Sequence, residues 1–361
     1  MLKAADLERR AAAIAHSELN LEEMCRSFDQ LMRTGVPYLA AAWSTHDPAT
    51  GLFTSCTLSG IEEDRSREAN LFRCEFSEGE PASCLSLIGQ RETVSILSEV
   101  TGGELGRTAR YREIFQHFGV TDELRVVLWA DDRAWGTVSM YRVDGGTFTQ
   151  EHADFAASLA PLAARGLQLA LLRMAASRPE AIDDPPGILQ AEVGGQVTPL
   201  TAPAQRWLEL AGSKLVTAAN VTAAAIREHQ DWTGAASRLV LHDGRILSLH
   251  ASNMTTEDGA VAVIVDAARP VEIGAMLVDA YGLTRRQRMV LGLLLLGRSM
   301  SEIALQLGIS EHTANDHRKA IYQKIGVSSR SELAALLQAE HYDPRSYRGV
   351  PPSPYGGFLL E

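Results

Sequence analysis

The stretch SMSEIALQLGISEHTANDHRKAIYQKIG, residues 299–326, restricts the fold more than any other part of the chain. It holds two helical patterns separated only by Gly308, Ile309 and Ser310. So short a link forces a sharp turn and leaves the second helix standing clear of the body, a helix-turn-helix geometry. Three capping boxes precede apolar helical patterns here: Thr284 with Gln287, Ser299 with Glu302, and Ser329 with Glu332. Ser310 opens a further helix without the acidic partner. Helices are therefore expected to start near residues 285, 300, 311 and 330, with Gly297, Gly308 and Gly326 where the chain leaves a helix.

Periodicity divides the helix that follows Ser310. Ala314, His317, Ile321 and Ile325 recur at helical spacing and form its inward face, which leaves His312, Asn315, Asp316, Lys319 and Gln323 outward. A projecting helix of this kind fits a DNA major groove. The outward groups match base edges: lysine reads guanine, asparagine pairs with adenine through two hydrogen bonds, and aspartate accepts from cytosine N4. Free N–H groups from Ser310 to Thr313 offer a phosphate site, with Arg318 and Lys324 flanking. The expected DNA contacts are Ser310, His312, Thr313, Asn315, Asp316, Arg318, Lys319 and Lys324, and the expected partner is double-stranded DNA. Charge agrees. Residues 281–340 carry eight basic and five acidic groups, a net of +3 in a chain whose total is −11, so only this module suits a polyanion.

Residues 283–333 resemble the LuxR-type helix-turn-helix of bacterial transcription regulators, through Leu283, Thr284, Gly297, Ser299, Glu302, Ile303, Ala304, Ile309, Ser310, Thr313, His317, Ile321, Lys324, Gly326 and Val327 among others. The resemblance implies a four-helix DNA-binding fold over 279–340, with a last helix from about Arg330 that pairs two copies into a homodimer. Two positions depart from the family pattern, which has valine and lysine after the threonine where this chain has Ala314 and Asn315. That separates its base preference from the family's usual one.

At 361 residues the chain has room for two or three domains. A helical start over 6–33, strands around a turn at Asp47–Gly51, strands joined by a polar turn at Asp131–Arg133, and a long helix from Gln150 to Ala175 make one α+β unit, residues 1–176. The proline- and acid-rich SRPEAIDDPPG at 177–187 reads as a linker. Short strands around Gly194 and Gly195, two small helices, and strands around Asp243-Gly244 make a second α+β unit, 188–270. In element order the first is similar to GAF-like sensory or dimerisation domains and the second to PAS-like ones. The resemblance implies a small-molecule or partner ligand for these regions, or a role as a scaffold. The expected fold class is thus multidomain α+β followed by all-α, ending in a flexible tail, 341–361, rich in Pro, Gly and Tyr.

Other chemistries find little support. The apolar run MVLGLLLLG at 289–297 is shorter than the ~20 residues a membrane helix needs, and the N-terminus lacks the apolar centre of a secretory signal, so the expected location is the cytoplasm and no membrane is a partner. Cys25, Cys56, Cys74 and Cys84 match no zinc or redox spacing and read as reduced thiols. Lys3, Lys214, Lys319 and Lys324 are the only lysines, which excludes a standard phospho-receiver between residues 4 and 213 and a Gly-Lys-Ser/Thr phosphate loop. His117 and His152 have no catalytic spacing to a carboxylate. No catalytic residue, metal or cofactor is expected. A protein-only module, with Phe155, Leu159, Leu162 and Leu169 of the long helix as a coiled-coil seam, is a further alternative.

Overall fold

Alternating side chains in residues 40–59 build an antiparallel pair, β1 (after helices α1, Ala4–Ala15, and α2, Leu21–Met32) at Ala40–His46 and β2 at Phe53–Ser59. The computed structural model describes residues 4–60, 67–77, 79–176, 185–229, 232–241, 243–254 and 259–338. Most of the expected linker, His242 and the tail lie outside them. The chain divides into two compact units, one of residues 1–130 and 134–267 and the other of 131–133 and 268–361.

In the first unit, α3 (Glu68–Phe76), α4 (Cys84–Gln90), β3 (Val94–Ile96), α5 (Leu97–Val100) and α6 (Ala109–Glu113) precede the hairpin of β4 (Asp122–Ala130) and β5 (Arg133–Arg142). The strands form a five-stranded sheet in the order β2-β1-β5-β4-β3. Helix α7 (Gln150–Ala176) crosses one face beside α1 and α2. By length and composition alone its span Gln150–Met174 could cross a bilayer. Its apolarity has an internal use, because Ala156, Leu159, Ala163 and Leu167 are buried, whereas Phe155, Leu162 and Leu169 are half-buried. Gly166 admits the neighbouring helices: a Cβ there would meet Met24 Sδ at 2.6 Å.

A second five-stranded sheet has the order β7-β6-β10-β9-β8, built from β6 (Gly187–Ala191), β7 (Val197–Pro199), β8 (Ala235–Val240), β9 (Ile246–Asn253) and β10 (Val261–Ala267), with α8 (Ala202–Ala211) and α9 (Ser213–Glu228) between β7 and β8. The two orders are the same path repeated. The sheets also share one apolar core, in which Leu52, Phe53, Phe72 and Phe76 join Trp207, Leu215 and Val263. Within that contact Arg238 grips Asp47 through two hydrogen bonds of 2.7 and 2.6 Å. Burial alone would raise the Asp47 carboxyl, but Arg238 outweighs it and holds the pKa below the usual carboxylate range.

The other face of the first sheet, toward α3, α4 and α6, encloses three glutamates and two arginines. Arg125 donates to both oxygens of Glu75 at 2.8 and 2.9 Å and to Glu123 at 2.9 Å. Arg110 donates to Glu75 at 3.0 Å and to Glu80 at 3.3 Å. Glu80 also accepts the Ala109 and Arg110 N–H groups at the start of α6. Arg110 is 0% and Arg125 2% exposed, so these guanidiniums have exchanged water for carboxylates and the Ala82 carbonyl. Burial pushes Glu75 up, yet Arg125 and Arg110 outweigh it and hold the group at about 2. The four cysteines are free thiols, with Cys25, Cys74 and Cys84 buried.

The second unit is helical: α10 (Pro270–Ala280), α11 (Arg285–Leu295), α12 (Met300–Leu307), α13 (Glu311–Ile325) and α14 (Arg330–Gln338). Leu283, Val290, Leu291, Ile303, Ile321 and Leu333 meet in its core. The fold is therefore two antiparallel sheets with helices, followed by a helical C-terminal domain.

Candidate nucleic-acid interface

Local sequence sets the frame. Thr284 Oγ1 accepts the Gln287 N–H at 3.2 Å while Gln287 Oε1 accepts the Thr284 N–H at 3.0 Å, opening α11. Ser299 and Glu302 do the same for α12, and the Ser299 N–H and hydroxyl hold the Glu302 carboxyl below its ordinary range. At α14 the Glu332 N–H reaches Ser329 Oγ at 3.1 Å, but the Glu332 carboxylate takes the N–H and hydroxyl of Ser328, one residue earlier than the sequence pattern suggests. Gly308 ends α12 at φ +63, a left-handed conformation that costs glycine nothing. Ser310 then caps α13 by accepting the Thr313 N–H at 3.0 Å.

Helix α13 lies with Ala314, Ile321 and Ile325 buried and His317 half-buried. His312, Thr313, Asp316, Lys319 and Gln323 are exposed. Asn315 is half-buried, and its Nδ2 donates to the Glu311 carbonyl at 3.0 Å, which leaves one amide proton and the side-chain oxygen available. Asp316 stands between His312 Nε2 at 3.4 Å and Lys319 Nζ at 4.0 Å. Pairs so long and so exposed add little stability, so these groups are held loosely. Arg318 lies over the Tyr322 ring at 5.7 Å.

Seven expected contacts, Ser310, His312, Thr313, Asn315, Asp316, Arg318 and Lys319, thus fall on the first three turns of α13 or its cap. Lys324 sits apart, on the last turn. Its ammonium donates to the Gly282 carbonyl and, at 3.1 Å, to Gln287 Oε1. Three arginines behave similarly: Arg286 donates to the Leu307 carbonyl, Arg330 to the Leu294 carbonyl, and Arg288 to the Leu283 carbonyl at 2.6 Å. Leu294 and Leu307 lie at the ends of α11 and α12, where unpaired carbonyls attract cations, and Gly282 and Leu283 lie in the link before α11.

Comparison with known proteins places a family on the helical domain. The family described as "GerE: Bacterial regulatory proteins, luxR family" matches residues 282–337. The chain is 49% identical over 67 residues, 19% of its length, to an HTH-type transcriptional regulator in the exeN 3' region of Aeromonas salmonicida. It is 47% identical over 51 residues, 14% of its length, to the transcriptional regulatory protein MctR of Rhizobium johnstonii. The matched stretches span 34% and 24% of those two relatives. Among solved structures, bacteriophytochrome RpBphP3 of R. palustris aligns over 72% of this chain and 61% of its own at 10% identity, with a TM-score of 0.33. A phage VqmA–DPO complex aligns over 40% of this chain and 71% of its own at 20% identity, with a TM-score of 0.17. The C-terminal helical domain is a LuxR-family helix-turn-helix domain.

Proposed function

We propose that the chain is a cytoplasmic, sequence-specific transcription regulator that binds double-stranded DNA as a homodimer, with the outward row of α13 as its base reader. One observation carries this reading. A capped helix rests on Ala314, Ile321 and Ile325 and turns His312, Thr313, Asp316 and Lys319 to solvent, within the segment that matches the family. Asn315 and Asp316 face base edges, Arg318 lies one helical step toward the backbone, and the N–H groups after Ser310 meet a phosphate. A last helix near Arg330 pairs two copies, so the operator consists of two half-sites about one helical turn apart. Residues 1–176 and 188–270, read as GAF-like and PAS-like, tune binding through a small molecule or partner.

The test is selection of bound duplexes from a random pool by the full chain, followed by footprinting. Two enriched half-sites support the reading; protection of a single half-site by a dimeric protein, or no enrichment, opposes it. A second reading, that the sheets are a ligand-independent scaffold, draws on the Arg110, Arg125, Glu75, Glu80 and Glu123 cluster, which fills the space between the first sheet and α3, α4 and α6 with the chain's own side chains. Deleting residues 1–270 separates the two. A sensor's loss changes DNA affinity or transcription in some growth condition; no change in either under any condition opposes the sensory reading.

A further inference from the structure

Lys324 occupies the last turn of α13, and its contacts place it at a joint. Gln287 Oε1 accepts from the Thr284 N–H at 3.0 Å and from Lys324 Nζ at 3.1 Å. The same ammonium reaches the Gly282 carbonyl, just before that cap. Gln287 is buried, so the oxygen that closes the first turn of α11 also anchors the far end of α13. At the near end, α13 is fixed by Gly308, Ile309 and the Ser310 cap. Lys324 and Lys319 are both exposed residues, but two of the three Lys324 N–H groups are engaged by Gly282 and Gln287, whereas Lys319 has Asp316 at 4.0 Å.

We propose that Lys324 is a positioning residue, which sets the angle at which α13 presents Asn315 and Asp316 to base edges and contributes to sequence discrimination instead of to phosphate attraction. This rests on the DNA-reading function proposed above. A tether at the distal end works as a lever: a small tilt of α13 about its N-terminal turn moves every outward side chain against the groove floor. Hydrogen bonds to bases tolerate such displacement poorly, while attraction to phosphates falls off gently with distance. The counterion slope of binding is accordingly supplied by other cations, among them Lys319 and Arg318.

The experiment uses the full chain, the duplex recovered by selection and a scrambled duplex of equal length, each measured over a series of salt concentrations. Lys324→Met is expected to lower the preference for the selected duplex roughly tenfold, the size of one mismatched base pair. Its salt slope should stay at the unaltered value, and Lys324→Arg should restore the preference. Lys319→Met should lower the slope by about one. An equal loss on both duplexes for Lys324→Met, with a slope lower by about one, would overturn the proposal and make Lys324 a phosphate contact. Circular dichroism at the binding temperature checks that the variants are folded. The unaltered chain gives a second readout that needs no variant, because it has only four lysines: on addition of the scrambled duplex, the nitrogen-15 ammonium signal of Lys319 should shift and that of Lys324 should not. Equal shifts of both would overturn the proposal. Failure of the unaltered chain to enrich any sequence would instead remove the DNA-reading premise, and the role of Lys324 with it.

Discussion

Arginine serves opposite ends in the two units. In the sheet unit Arg110, Arg125 and Arg238 are buried and meet carboxylates, so each charge is matched by another charge inside the protein. In the helical unit Arg286, Arg288 and Arg330 are only partly covered and meet backbone carbonyls, those of Leu307, Leu283 and Leu294, with Asp279 a longer 3.6 Å from Arg288. The charged groups on the exposed face of α13 form only loose, exposed pairs, His312 and Lys319 with Asp316 at 3.4 and 4.0 Å. A buried ion pair ties fold to charge, and removing one member strands the other. An exposed one leaves the fold nearly indifferent and keeps the group free for a ligand. The first unit is therefore expected to break when its charges change, and the second to keep its fold and change what it binds.

The largest effect should come from Arg125→Met. It removes the bidentate partner of Glu75 and one of the two arginines that meet Glu123 and is expected to cost about 3–5 kcal/mol, read as loss of the sheet unit's transition in thermal denaturation while the C-terminal domain still melts. A loss under about 1 kcal/mol would mean that water or protonation replaces the pair and would blur the contrast between the units.

Acid should act on the same groups. Glu75 is held at about 2 in the fold, below the ~4.3 of an unfolded glutamate, so its contribution is complete above that value and is lost as pH falls toward about 2. Asp47, also depressed, adds in the same direction. Denaturation of the full chain across this range should show the sheet unit weakening first, and Asp47→Asn should flatten part of the dependence. Equal weakening of both units would contradict the assignment.

Smaller effects belong to the second unit. Ser310→Ala removes the cap of α13 and should cost about 1 kcal/mol in the helical domain's stability, with no change in the sheet unit. Asp316→Ala should have the least influence on folding, under about 0.5 kcal/mol. It should strengthen binding to random DNA, because a carboxylate near phosphates is repelled, while relaxing sequence preference. Weaker binding to random DNA would show that Asp316 does not face the groove.

What could be read beforehand follows the range of the interactions. The starts of α11, α12 and α13 depend on residues three apart, and the structure has them at Arg285, Met300 and Glu311. The turn between β4 and β5 was visible in Asp131-Asp132, which adopt φ of +48 and +68. α9 begins at Ser213, five residues before its apolar pattern becomes clear at Ala218. The short helices α3 to α6 and the charged groups they enclose have no counterpart among the sequence expectations, because charged residues read from sequence default to the surface. Arg125 meets Glu75 fifty positions away, a pairing that no local spacing encodes. The contacts of Lys324 are hidden from local spacing for the same reason: its partners, Gly282 and Gln287, lie 42 and 37 residues earlier. The exposed row of α13 was legible because one helix's periodicity fixes it.

That row supports the central claim, and Asn315 tests it most directly. The measurement is the affinity of the unaltered chain, Asn315→Ala and Arg318→Ala for the selected operator, its single-base variants and random DNA, at two salt concentrations. If α13 reads bases, Asn315→Ala should lose about 1–3 kcal/mol of discrimination at one or two base pairs and leave random DNA nearly untouched. Arg318→Ala should weaken every sequence together and lower the salt slope by about one. Equal losses on all sequences for Asn315→Ala would contradict the account, because the helix would then attach to DNA without reading it.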